Sequence, residues 1–273
     1  MPIRGDRNLL VALLVAAFVA APVAGEEAVV KSTDASDIEA EAIASADPHH
    51  RLDFGLEKFG SDERDIKTFS LGYTWAPGQQ HALNINVDIV DSRLGDVEGD
   101  GLSDSVVTYS WAPSEKVTAK PWLPRRFGTG LSLVVPTGDL LEGTGSDMWI
   151  AAPFVGWPVT IGKGITLLPS LAYLRSFSEG DLSIPIEGLS LELGLVSAIG
   201  PKWWITLLPA VTEELVLHET IFSISAQVGR EFGTRHGISI EYGYVDDDTI
   251  SVALGLGSDF NEKIAVRGHL GFR

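Results

Sequence analysis

Side chains able to do acid–base or metal chemistry are few in this sequence and poorly clustered. Six histidines, His49, His50, His81, His218, His236 and His269, are scattered over 273 residues. Neither a Gly-x-Ser-x-Gly elbow nor a His-Glu-x-x-His pair occurs. A Ser–His–acid set can be drawn from Ser239, His269 and Glu241. A nucleophile needs a positioned base, and nothing in that spacing supplies one. Asp91, Asp96, Glu98 and Asp100 crowd one stretch, but the run lacks the fixed ligand spacing of a calcium loop and reads as a solvated acidic loop. Asp139, Glu142 and Asp147 flank glycine-rich turns at 138–145, where glycine permits positive φ. With no cysteine there is no disulfide framework, no thiolate metal site and no lipid-bearing Cys. We therefore expect no catalytic residue, no cofactor and no metal.

A second polar set is organised by the elements that carry it. Thr68 to Trp75 places Phe69, Leu71, Tyr73 and Trp75 on one face against Thr68, Ser70, Gly72 and Thr74. The same period of two runs through 82–90, 189–195, 222–228, 238–244 and 250–256. Successive strand side chains point to opposite faces, so each segment has one greasy face and one small or polar face. Less regular segments at 103–111, 129–136, 148–157, 165–175, 203–212 and 263–272 bring the expected total to twelve strands. Residues 51–58, with Leu52, Phe54 and Leu56 alternating, are a further candidate. The polar face collects Asn84, Asn86, Asp88, Glu192, Gln227, Glu231, Glu241, Arg267 and His269. Carboxylates outnumber bases there, which suits a neutral or weakly cation-preferring channel lining. A lumen filled by its own paired side chains fits equally well.

The N-terminal 25 residues follow another logic. Arg4 and Arg7 precede an apolar run from Leu9 to Ala21, then Pro22-Val23-Ala24-Gly25. That order is a secretory signal with its cleavage site, and the run is too short for a comfortable membrane helix. Residues 26–50 read as an acidic flexible lead segment, with Glu26, Glu27, Asp34, Asp37, Glu39, Glu41 and Asp47 against Lys31. The barrel is expected over 51–273. The formal charge is −17, and loss of Arg4, Arg7 and Asp6 with the signal would leave −18. Such an acidic chain repels phosphates, so nucleic acid is excluded as a partner.

Alternation alone also describes a soluble β-sandwich with its greasy faces inward. Three features favour a membrane barrel. The polar face is rich in Ser, Thr, Gly, Ala, Asn and Gln rather than in Lys and Glu. Trp75, Trp111 and Trp157 end expected odd-numbered strands, and Trp203 and Trp204 open an even one. In a meander these five share one end, as an interfacial girdle would. Trp122 and Trp149 stand apart from it. Finally, Tyr73-Thr74-Trp75-Ala76-Pro77 is echoed by Tyr109-Ser110-Trp111-Ala112-Pro113, a hairpin-sized repeat. The closing alternation, Ile264, Val266, Gly268, Leu270 and Phe272, is similar to the terminal signature of outer-membrane barrels, although Arg273 follows the aromatic. With twelve strands counted from residue 68 and a periplasmic C-terminus, the girdle would lie at the outer interface.

Residues 127–157 read Phe-Gly-Thr-Gly-Leu-Ser-Leu-Val-Val-Pro-Thr-Gly-Asp, then Gly-Thr-Gly-Ser-Asp-Met-Trp, then an apolar run to Gly156-Trp157. This resembles the outer-membrane family named for the meta-pathway of phenol degradation, as does Gly101-Leu102-Ser103-Asp104. The resemblance implies a barrel that passes small hydrophobic or aromatic compounds, and it carries over no ligand residues. The expected fold is an all-β, up-and-down antiparallel transmembrane barrel of about twelve strands, within a range of ten to fourteen. Its setting would be the bacterial outer membrane, with lipid, the export and barrel-assembly machineries and small apolar organic molecules as partners. A non-conducting structural barrel and a lipid-modifying barrel enzyme are the rival functions.

Overall fold

The computed structural model describes residues 49–61, 64–78, 80–94, 97–112, 127–138, 148–162, 164–177, 185–216, 218–232, 236–246 and 261–272. The signal-like run and the acidic lead segment up to residue 48 lie outside them, while His49 and His50, expected in that segment, already belong to the first strand. All regular elements of the described residues are strands: β1 (His49–Ser61), β2 (Arg64–Gly78), β3 (His81–Leu94), β4 (Val97–Leu102), β5 (Ser105–Trp111), β6 (Gly128–Val135) and β7 (Ile150–Gly156), then β8 (Val159–Gly162), β9 (Ile165–Ser176), β10 (Glu187–Ala198), β11 (Trp203–Glu214), β12 (Glu219–Glu231), β13 (His236–Asp246) and β14 (Asn261–Phe272).

Every pairing is antiparallel and the ladder closes on itself. β4 pairs with β3 from Ile89 to Leu94, and β5 pairs with the same strand from His81 to Asn86. β4 and β5 are thus two pieces of one wall strand, interrupted at Ser103-Asp104. β7 and β8 divide β9 between them in the same way. Merging these two pairs leaves a closed antiparallel barrel of twelve wall strands.

β1 joins the wall between β2 and β14, with His50 opposite both Trp75 and Phe272. β14 is therefore paired on both edges, to β13 and to β1. The expected strand at 250–256 lies outside the described residues, and the ring closes with β13 directly beside β14.

This alters the parity of the strands and corrects the placement of the tryptophans. Trp75, Trp111 and Trp203 stand on the same rim as His50 and Phe272. A girdle on that rim faces the periplasm if the C-terminus does, not the outer surface. The turns 78–81, 162–165, 198–203 and 231–236 also lie there, with one long connection, 111–128. The opposite rim carries the long connections 135–150, 176–187 and 246–261. Short periplasmic turns and longer outer loops are the usual asymmetry of such barrels, and with three of the four longest connections on the opposite rim it favours the terminal rim as the periplasmic one.

The greasy faces point outward. Leu56 is 64% exposed, Ile240 60% and Phe222 55%, while Ser132, Thr108 and Ser239 behind the same wall are buried. A soluble sandwich would hide these large side chains in its core. Here the ladder satisfies the backbone and the apolar surface needs lipid to cover it. The band has clear limits. Toward the outer rim, the outward rows of Leu56, Phe69 and Ile89 give way to Lys58, Lys67 and Asp91. Lys67 Nζ lies 3.4 Å from Asp65 and 3.6 Å from Asp91. Toward the terminal rim, His50 Nδ1 lies 2.7 Å from the Tyr73 hydroxyl and His81 Nδ1 2.7 Å from that of Tyr109. His50 is opposite Trp75, and His81 opposite Trp111. The Tyr-x-Trp repeat thus builds the same His–Tyr–Trp unit twice. Arg230 stacks over Trp203 at 5.2 Å in a third interfacial cluster.

Candidate functional site

With the apolar rows outside, alternation puts the other rows inside. The register carries Asn84, Asn86 and Asp88 of β3, Glu192 of β10, Gln227 and Glu231 of β12, Glu241 of β13, and Arg267 and His269 of β14 to the interior. They form two groups rather than one uniform lining. On β2 and β3 the contacts are short hydrogen bonds from asparagine amides. Asn84 Nδ2 donates to Thr74 Oγ1 at 2.9 Å, and Asn86 Nδ2 to Asp88 Oδ1 at 2.8 Å. On β12 and β13, Gln227 Nε2 donates to Ser239 Oγ at 2.8 Å.

The second group is ionic and straddles the seam where the first and last strands meet. Lys263 Nζ lies 3.2 Å from Glu57 and 3.3 Å from Glu241. Arg267 lies 3.3 Å from Glu57 and 3.2 Å from Glu241. Each base thus touches both acids, and the quartet is neutral. Glu57 and Lys263 were not singled out in the sequence, because alternating charges in β1 and β14 look like surface. Arg51 and Asp53 form a further inward pair at 3.0 Å. Glu192 joins none of these ion pairs, so the interior retains an excess of carboxylate.

At the terminal end of the interior, His269 Nε2 lies 3.4 Å from Glu231, and Trp204 Nε1 donates to the same carboxylate at 3.4 Å. Trp204 therefore faces inward, which corrects its place in the girdle. Adjacent residues of a strand point to opposite faces, so Trp203 and Trp204 cannot both meet lipid. Gly229 makes room for it, since a Cβ there would fall on the indole ring. Trp157 stays on the outward row, its backbone N–H donating to Pro169 O at 3.1 Å in register with β7 and β8. Trp149 sits at the opposite rim against Phe177, and Trp122 lies outside the described residues.

The Ser–His–acid set is not assembled. Ser239 is engaged by Gln227, His269 by Glu231, and Glu241 by Lys263 and Arg267. Among the described residues no three His, Asp or Glu could hold a metal ion. Of the acidic stretch, Glu98 pairs with Arg93 at 2.6 Å, Asp91 faces Lys67, and Asp96 lies outside the described residues, as do Asp139, Glu142 and Asp147.

The two sequence motifs that carry the family resemblance meet in space. Thr137 Oγ1 donates to Ser103 O at 2.6 Å and accepts from Ser105 N at 2.9 Å. Gly138 N donates to Asp104 Oδ1 at 3.1 Å, while Ser103 N donates to Asp88 O at 2.8 Å. Pro-Thr-Gly, just after β6, thus clamps the Ser103-Asp104 break between β4 and β5. Thr137→Val should cost about 1–3 kcal/mol, because it removes two or more bonds and strands backbone groups. Thr137→Ser should cost much less. The urea midpoint for loss of the compact, unboiled gel band measures both.

No family model matches the chain, and no curated protein does. Solved structures match over most of its length. The COG4313 outer membrane channel from Pseudomonas putida F1 superposes with a TM-score of 0.59 at 9% identity, covering 82% of this chain and 95% of that one. The NanC porin gives 0.56 at 9% identity over 80% and 98% of the two chains. The KdgM porin in complex with disordered oligogalacturonate gives 0.51 at 10% identity over 82% and 99%. The chain has the fold of an outer-membrane channel barrel. At such identities the likeness speaks of architecture alone.

Proposed function

We propose that this protein is an outer-membrane channel for small apolar or aromatic organic compounds. The observation that carries the membrane part is the inversion of the wall, with large apolar side chains exposed on the outside and Ser, Thr, Asn and ion pairs within. The substrate class rests on the resemblance of 127–157 and 101–104 to the phenol meta-pathway family. The signal-like first 25 residues imply export, followed by the barrel-assembly machinery. The nine inward polar residues named above would line the path.

Expression of the full chain tests this reading. Outer-membrane fractions should hold the protein, its gel mobility should shift on boiling, and cells carrying it should take up labelled toluene faster than cells without it. Soluble periplasmic protein with no mobility shift would overturn the barrel in lipid, and unchanged toluene uptake would overturn the substrate class. The self-paired quartet favours a second reading, a non-conducting barrel whose interior is filled by its own side chains.

A further inference from the structure

The interior changes character toward the outer rim. Inward positions close to that end of the strands are mostly apolar. One cluster packs Val134 of β6 with Met148, Ile150 and Ala152 at β7 and Leu174 of β9, joined by Val106 and Ile186. Another packs Ile66 of β2 and Val90 of β3 with Phe59 of β1. Ile221 and Val245 continue the theme on β12 and β13, and both are buried. Among the described residues the buried polar exceptions toward this end include Thr68 on β2, Ser92 on β3, Ser103 and Asp104 at the break between β4 and β5, Thr212 and Glu214 on β11 and Lys263 on β14, the last held in the quartet. Ile150 has no solvent exposure and Val90 has 1%, whereas Arg267 and His269, deeper in the interior, keep 26% and 24% of their side chains exposed. The apolar side chains near the outer rim are thus close-packed, while Arg267 and His269 farther in stay partly open.

We infer that the packed apolar arcs around Val134, Ile150, Leu174, Ile66 and Val90 form a desolvating filter below the outer rim, which admits uncharged apolar solutes and excludes ions and sugars. This rests on the channel reading above and gives it a location. The physical reason is the cost of transfer. An ion or sugar passing these aliphatic arcs must shed water and receives no hydrogen bond from them in return. Water itself leaves an apolar constriction, which then blocks ions without any steric plug. An apolar solute meets the opposite balance, since it exchanges water for hydrocarbon contact. Met148, unbranched and adaptable, is the side chain best able to yield as it passes.

The test uses the full chain in two assays. Planar bilayers give potassium chloride conductance, and cells with an intact outer membrane give uptake of labelled toluene. Val134→Thr combined with Ile150→Thr adds two hydroxyls at β-branched positions, the first without change of shape and the second with the loss of one carbon. Leu174→Thr is a second, independent wetting variant, and the boiled-gel shift verifies that each is folded. The wild type should conduct ions poorly. The wetted variants should conduct at least tenfold better and lose most of the toluene uptake. Equal conductance in wild type and variants would overturn the filter. If conductance rises in the variants but the wild type never takes up toluene, the outer closure stands and the admission of apolar solutes falls, together with the proposed substrate class.

Discussion

Replacing Glu241 by alanine should destabilise the barrel by about 3–5 kcal/mol, the usual cost of removing one partner from a buried ion pair. Glu241 is 1% exposed and its two bases, Lys263 and Arg267, are 8% and 26% exposed. Without it, both cations depend on Glu57 alone, and the interior gains an uncompensated positive charge between β13 and β14. The neutral double replacement, Glu241→Leu with Lys263→Met, should recover most of the loss, because Glu57 and Arg267 then remain as a balanced pair. Urea unfolding followed by tryptophan fluorescence in lipid vesicles measures both. A loss below about 1 kcal/mol for the single variant would mean that water or salt reaches the quartet and screens it.

Ile240→Arg should cost about 2–4 kcal/mol in vesicles, the range for a cation on the lipid face near the bilayer midplane. Ile240 lies between Ile238 and Tyr242 on the outward row of β13 and is 60% exposed. An arginine at so exposed a position on a soluble protein would be nearly neutral. The same substitution therefore gives two very different results, depending on what solvent the wall meets. Lys67→Ala, on the charged row past the band, should stay within about 0.5 kcal/mol, since it loses only exposed ion pairs. An Ile240→Arg protein that folds as readily as its parent would remove lipid from the outer face.

The faces of the wall were legible in the sequence wherever alternation was strict. Phe69 to Trp75 and Ile238 to Tyr244 show one row of large apolar side chains and one of small polar ones, and the register confirms that arrangement. Counting strands was harder, for two physical reasons. β1 mixes Leu52, Phe54 and Leu56 with Arg51, Asp53 and Glu57, and these charges resemble a loop until Arg51 is seen to pair with Asp53, and Glu57 with Lys263 and Arg267 of β14. Residues 250–256 alternate as cleanly as any wall strand, yet both edges of β14 are already taken. Residues 250–256 lie outside the described residues, and counting β1 among the twelve wall strands moves the tryptophan rim to the side of the C-terminus. The paired Trp203-Trp204 held its own correction, because period two forbids a shared face. The clamp at Thr137 could not be seen at all, since it joins residues 32 and 34 positions apart through side-chain oxygen. The apolar arcs near the outer rim were hidden for a similar reason. Val134, Ile150 and Leu174 each look like ordinary strand residues, and only the closed ring assigns them to the interior.

The seam between β1 and β14 also sets the order of events in folding. Glu57 and Arg267 are 210 residues apart in sequence, and the ladder around them runs from His50 opposite Phe272 to Gly60 opposite Glu262. No part of that ladder can form until nearly the whole chain has left the ribosome. Until then β1 and β13 each present a bare edge, open to wrong partners. Loop closure over such a span is slow, and the native contacts reward it only at the end. A chain that stops short of β14 should therefore yield no smaller barrel, only an open sheet that aggregates.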